Sequence, residues 1–162
     1  MAGRPAARVG DMTAHGSPLS VGPGSFNVII GGQLAWRGIT AAQAALLAKT
    51  IAEGAKKIVE AQKKATAVAG TPAAPAAQAN VVKTIKKAAS DVAGVIAGFA
   101  PADIHTCPVV KLVVPDGVGV VIDGSQTVLI NKLAACRLGD TIQETTSVNK
   151  IVQGLPTVLI GG

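Results

Sequence analysis

Aromatic side chains are almost missing from this chain: Phe26, Trp36 and Phe99 are the three it has in 162 residues. A core wide enough to need large rings is thereby excluded. The apolar half of the sequence (49%) must be built from Ala, Val, Ile and Leu. Cysteine is also scarce. Cys107 and Cys136 are too few for a disulfide framework; one disulfide, two thiols or two metal ligands are all allowed by count. No apolar run is long enough to span a bilayer, the longest being 92–100. The N-terminus lacks the apolar stretch of a signal peptide. Charged residues make up 15%, below the usual quarter. With a mean hydropathy of +0.45 the chain is nevertheless not a disordered one.

Glycine and proline are plentiful instead, at nineteen and nine. So many turn formers argue against a single helical bundle. The net charge of +6 is uneven. Residues 38–102 hold eight lysines against Glu53, Glu60 and Asp91, whereas the remainder is nearly balanced. The spacing of small and apolar residues at 47, 51, 54, 58, 61, 65 and 68 predicts a helix over 39–68. Glu53, Glu60 and lysines 49, 56 and 63 occupy another face, spaced to pair locally. Gly70 to Pro75 breaks the helix. A second stripe, Val82, Ile85, Ala89, Val92, Ile96 and Phe99, predicts another helix that Pro101 ends. Together they predict an antiparallel helical hairpin over 38–100; the competing reading is a low-complexity Ala/Lys linker.

The flanks, 1–37 and 101–162, read as strand and turn. Asn27-Val28-Ile29-Ile30-Gly31-Gly32, Thr127-Val128-Leu129-Ile130-Asn131 and Thr157-Val158-Leu159-Ile160-Gly161-Gly162 are nearly one peptide used three times. Each copy opens on an aspartate: Asp11, Asp103 or Asp140. A small glycine turn precedes each closing run. The expectation is a mainly β fold: a small cone of three pseudo-threefold β-hairpin repeats, with the helical hairpin inserted between the first two. Units with little core of their own must pack around a common axis.

Four positions after each aspartate stand His15, Cys107 and Glu144, with His105 two before Cys107. A threefold axis would gather one ligand-competent side chain from each unit. His and Cys suit a borderline-soft ion such as zinc, and either Cys136 or Glu144 could fill a fourth position. The competing reading makes both His surface turn residues and both Cys small buried hydrophobes.

The residues Pro5-Ala6-Ala7-Arg8-Val9-Gly10-Asp11, Thr13-Ala14-His15-Gly16, Asp103-Ile104-His105-Thr106-Cys107-Pro108 and Ala135-Cys136-Arg137-Leu138-Gly139-Asp140 resemble the proline–alanine–alanine–arginine repeat (PAAR) family. The likeness covers nearly all of the chain outside the insert. It implies a pointed β tip seated on a trimeric spike of the valine–glycine repeat (VgrG) type, in a type VI secretion system or a related contractile injection machine. It also implies structural zinc, held by His15, His105, Cys107 and Cys136, with Glu144 as the alternative fourth ligand. Glu144 departs from the family's commonest pattern, in which a Cys or His often stands there. Arg8 and Arg137 are expected to bond within their turns or to pair with Asp140 and Asp11.

A structural tip is therefore the expected role, made in the bacterial cytoplasm and exported by the machine itself. A zinc hydrolase is the contrasting class. It would need three ligands, a bound water and a base; Glu144 is the one candidate base, and no His-Glu-x-x-His is present. No effector domain is expected after residue 162. The insert is too poor in catalytic residue types for an enzyme. It is expected instead to dock an effector, a chaperone or the side of the spike. Its lysines could also touch nucleic acid or anionic lipid, although no sequence-specific nucleic-acid motif is present.

Overall fold

The computed structural model describes residues 3–20, 22–111 and 113–161. Gly162, the last residue of the third closing run, and Met1 and Ala2 of the N-terminus lie outside these. The chain is α+β, 32% helical and 31% strand, which corrects the expectation of a mainly β cone of three hairpin repeats. Two physical causes are visible. The insert's helices are long, and the β units are unequal in extent.

Helix α1 covers Ala41–Ala67 and α2 covers Ala74–Ala97. Thr40 starts α1 with a capping box: the Gln43 N–H donates to Thr40 Oγ1, and the Thr40 N–H donates to Gln43 Oε1 at 2.9 Å. Alanine-rich faces let the two helices approach closely. A Cβ at Gly54 would stand 3.0 Å from that of Ala88. The hairpin is rooted in the β body by one shared cluster, in which Ile39, Leu47, Val92, Ile96 and Phe99 pack with Val120 and Leu133. Ile96 is fully buried there. Replacing it by Ala is expected to cost about 2–5 kcal/mol, read as a lower urea midpoint with an unchanged slope.

The strands are β1 (Arg4–Ala6), β2 (Ile29–Ile30), β3 (Gln33–Leu34), β4 (His105–Lys111), β5 (Val114–Val121), β6 (Leu129–Ile130), β7 (Leu133–Ala134), β8 (Thr141–Glu144), β9 (Val148–Lys150) and β10 (Leu155–Ile160). The largest sheet, in the order β4-β5-β8-β9, joins the second and third units. Among the described residues, the matching segment of the first unit makes the single bridges Met12–Pro18 and Thr13–Ile151.

Three small antiparallel ribbons, β2–β3, β6–β7 and β1–β10, form the other end of the body. Gly31-Gly32 and Asn131-Lys132 turn the first two, all four residues having positive φ, as two-residue hairpin loops require. The segments that leave the ribbons close into a ring. The Ala7 N–H donates to the Cys136 carbonyl, Cys136 to Trp36, and Trp36 back to Ala7, at 2.9, 3.1 and 3.0 Å. Inside the ribbons, Ile30, Ile130 and Ile160 meet Ala6, Ala35 and Ala135 in one cluster. The strand period of two then points the preceding residues, Ile29, Leu129 and Leu159, outward.

Each ring segment ends in an arginine bound to an aspartate by the same set of contacts. The backbone N–H of Arg8, Arg37 and Arg137 donates to Oδ2 of Asp11, Asp103 and Asp140, at 2.8 Å in each case. The guanidinium groups add Nη2–Oδ1 bonds of 2.8, 2.9 and 3.1 Å. Arg8 and Arg137 thus pair with the aspartate of their own turn rather than with each other's; Asp140 also receives Arg4. The helical hairpin occupies the middle turn, between Arg37 and Asp103.

Candidate metal centre

At the opposite end from the ribbons, four side chains converge. Ligand atoms of His15, Cys107, Asp116 and Glu144 all lie within 4.8 Å of one another. Local structure aims each of them. Strand β4 alternates, so His105 and Cys107 turn inward while Thr106 and Pro108 face out. The same alternation buries Ile142 and Glu144 of β8. Register places Cys107 opposite Gly117, and Gly119 between His105 and Glu144. A Cβ on Gly119 would stand 2.9 Å from Glu144 Cγ and from Ile142 Cγ2, so glycine leaves the carboxylate its space. Gly117 has φ +65°, a conformation that side chains disfavour, and it turns the strand just after Asp116. His15 sits in a tight turn whose N–H donates to Asn149 Oδ1 at 3.1 Å.

His15 Nδ1 is the hub. It lies 3.0 Å from Glu144 Oε2, 3.5 Å from Asp116 Oδ2 and 3.6 Å from Cys107 Sγ. An outer layer orients the carboxylates. Asn149 Nδ2 donates to Glu144 Oε1 at 2.8 Å and to Thr13 Oγ1 at 3.1 Å; Ser147 Oγ donates to Glu144 Oε2 at 3.2 Å; Thr146 Oγ1 donates to Asp116 Oδ1 at 2.5 Å. Lys111 Nζ reaches His15 Nε2 at 3.1 Å and Ser147 Oγ at 2.9 Å.

Electrostatics favour a cation here. Asp116 and Glu144 are both fully buried, and Asp116 Oδ2 has no hydrogen-bond partner. The Lys111 ammonium stands 3.5 Å from that oxygen, one cation against two buried carboxylates, and a buried charge is costly unless it is paired. Burial alone would raise the Asp116 carboxyl, but hydrogen bonds from Thr146 and Ser147 and the charge of Lys111 outweigh it and hold the group below its ordinary value. Burial, reinforced by Glu144, pushes the Cys107 thiol up, so a metal bound here would displace the thiol proton as it binds. The buried group of His15, Cys107, Asp116 and Glu144 could therefore hold a metal ion, and the donor set fits one.

The three residues in the common register, His15, Cys107 and Glu144, are brought together. His105 stands just behind them: its Nε2 is 3.6 Å from Glu144 Oε1 and 3.3 Å from Ser17 Oγ, and its burial lowers its affinity for a proton. Cys136 is not brought to the site. It packs with Leu19, Trp36 and Ile142 in a separate apolar cluster. Full burial raises its thiol well above the ordinary value, which keeps it a protonated core residue. Asp116 went unnoticed in sequence. Its sole signal was the Pro115-Asp116-Gly117 turn, and the pairing of β4 with β5 is needed to bring it beside Cys107. No family model, no curated protein and no solved structure matches this chain.

Proposed function

We propose that this protein is a metal-stabilised tip that caps a trimeric spike of the VgrG type. The observation that carries the reading is the ribbon end. Ile29, Leu129 and Leu159 occupy equivalent positions on three ribbons and are 66, 61 and 61% exposed. Three like aliphatic side chains around an apolar centre suit a partner with a threefold axis, because each can meet the same pocket on each of three subunits. The PAAR-like peptides in the sequence point to the same partner. One chain would then serve one trimer.

The metal of this reading is zinc, for which imidazole, thiolate and carboxylate are all ordinary ligands. His15, Cys107, Asp116 and Glu144 would supply four protein donors, the number found in closed structural sites. The role is accordingly mechanical and structural rather than catalytic. Such a tip would be made in the cytoplasm and leave it on the spike, carried by a contractile injection machine. A type VI system is the machine the sequence likeness favours; an adaptor tip on a related machine keeps the same geometry.

The test is size-exclusion chromatography with light scattering, using a purified trimeric spike protein of the VgrG type from the same organism. A complex of one chain to three is expected. Replacing Ile29, Leu129 and Leu159 together by Asp should abolish the complex while leaving bound metal unchanged, since these residues lie at the far end from the ligands. Absence of any complex with the unaltered protein overturns the reading.

A further inference from the structure

We propose that the groove between α1 and α2 is a docking site for an acidic amphipathic helix of a partner protein. The inference goes beyond the spike-cap reading and rests on no part of it. Beyond Ile51 on α1 and before Val92 on α2 the helices leave the apolar cluster they share with the β body. At 1.5 Å per residue, α1 runs about 24 Å past that point; its first turns there, with Ile85 and Ala89 of α2, still face Gln143, Thr145 and Thr146 of the β body across a cavity. Residues 52–91 contain seven lysines against three acids, so this stretch carries four of the protein's six excess positive charges.

The groove along one side of this stretch holds a cavity of about 340 Å³. Its floor includes the small side chains Ala61 and Ala88, and its rims carry Lys57, Lys64, Lys83 and Lys87. Among the described residues one of these lysines is in an ion pair, Lys87 with Asp91 at 3.0 Å. Small side chains there, Ala61 and Ala88 beside Asn80 and Thr84, let a third helix approach closely, as helix ridges require. Lys57 and Lys64 are seven residues apart, two turns and about 10.5 Å along the axis. Carboxylates spaced seven apart on the incoming helix would meet both, while Lys83 faces its other flank.

The chemistry favours a protein over the other polyanions. Every cation of the hairpin is lysine and none is arginine, the residue whose planar fork matches phosphate. Phe99, the hairpin's one aromatic, is buried in the shared cluster, so no ring is left for stacking on bases. Glu60 interrupts the basic rim and would repel a uniformly charged backbone or lipid surface, whereas a helix can leave that position uncharged.

The full-length, metal-loaded protein should be titrated into three fluorescent probes. These are a three-heptad peptide with Leu and Ala on one face and Glu on both flanks, a 20-base-pair DNA duplex, and phosphatidylserine/phosphatidylcholine vesicles. Anisotropy should show saturable binding of the peptide, weakened by salt, with circular dichroism reporting a gain of peptide helix. Lys57→Glu, Lys64→Glu and Lys83→Glu together should weaken binding by about tenfold or more, three ion pairs being lost and reversed. Lys56→Glu, Lys63→Glu and Lys86→Glu make the same charge change on the same helices outside the groove and should alter it less than about twofold. The proposal is overturned if the peptide does not bind, if both triple variants weaken it equally, or if the duplex or the vesicles bind more tightly. Unchanged helicity and metal content of each variant exclude misfolding as the cause.

Discussion

Cys107→Ala should abolish stoichiometric metal binding and strip the protein of most of its stability. A metal held by side chains that converge only in the folded chain contributes its binding free energy to folding, on the order of 10 kcal/mol in small zinc domains. That rivals the whole stability of an ordinary domain, about 5–15 kcal/mol. At that end two fully buried carboxylates stand where a core would be, beyond the apolar cluster of Leu19, Trp36, Val121, Ile142 and Ile151. Removing metal with a chelator should therefore lower the thermal midpoint by tens of degrees, or unfold the β body outright. His15→Ala and Asp116→Asn should follow Cys107→Ala. Cys136→Ala is the informative contrast. Its thiol packs with Trp36 and Leu19 away from the cluster, so the variant should keep full metal content and lose only the small cost of a vacated sulfur. Native mass spectrometry and calorimetry read both quantities. Metal lost from the Cys136 variant but kept by the Asp116 variant would refute the ligand set.

Asp103→Asn should destabilise the protein by about 3–5 kcal/mol, the cost of leaving one partner of a buried ion pair uncompensated. Asp103 is fully buried and Arg37 nearly so. The carboxylate accepts from the Arg37 backbone N–H, from Nε at 3.0 Å, from Nη2 at 2.9 Å and from the Gly24 N–H at 3.0 Å. The amide could still accept, but no longer cancels the guanidinium charge. The equivalent change at Asp11 should cost less, because the Arg8 side chain is 14% exposed and water can take over part of its solvation. The middle pair also ties the two ends of the helical hairpin into the ring, so its loss should loosen α1 and α2 together. Urea unfolding followed at 222 nm measures both variants. Equal costs for Asp11 and Asp103 would show that burial does not set the difference.

What the sequence determined by itself was local. The three closing runs carry their own alternation, and the ribbons bury Ile30, Ile130 and Ile160 while exposing the residue before each. The four-residue spacing from aspartate to His15, Cys107 and Glu144 acts through short segments, and these three side chains meet. Capping at Thr40 and the break at 70–75 bound the helices within a few residues of their sequence limits.

What depended on strand register or on contacts between distant segments was decided only by the tertiary structure. Asp116 becomes a donor because β5 folds back on β4 with Cys107 opposite Gly117; a slip of one residue would turn it to the other face. Cys136 is adjacent in sequence to a motif arginine, yet the ring bond from its N–H to Trp36 sets its side chain into the apolar cluster. Arg37 and Asp103 are separated by the whole insert, so nothing local marks them as the third copy of the Arg8–Asp11 and Arg137–Asp140 pairs. The α+β balance has the same origin. The segment after Asp11 contains Gly16 and Pro18, poor strand formers, and makes isolated bridges beside Lys150 to Val152, whereas the segments after Asp103 and Asp140 find each other and lengthen into one sheet. Periodicity tells which face a side chain takes within an element; which element lies across from it is settled by packing.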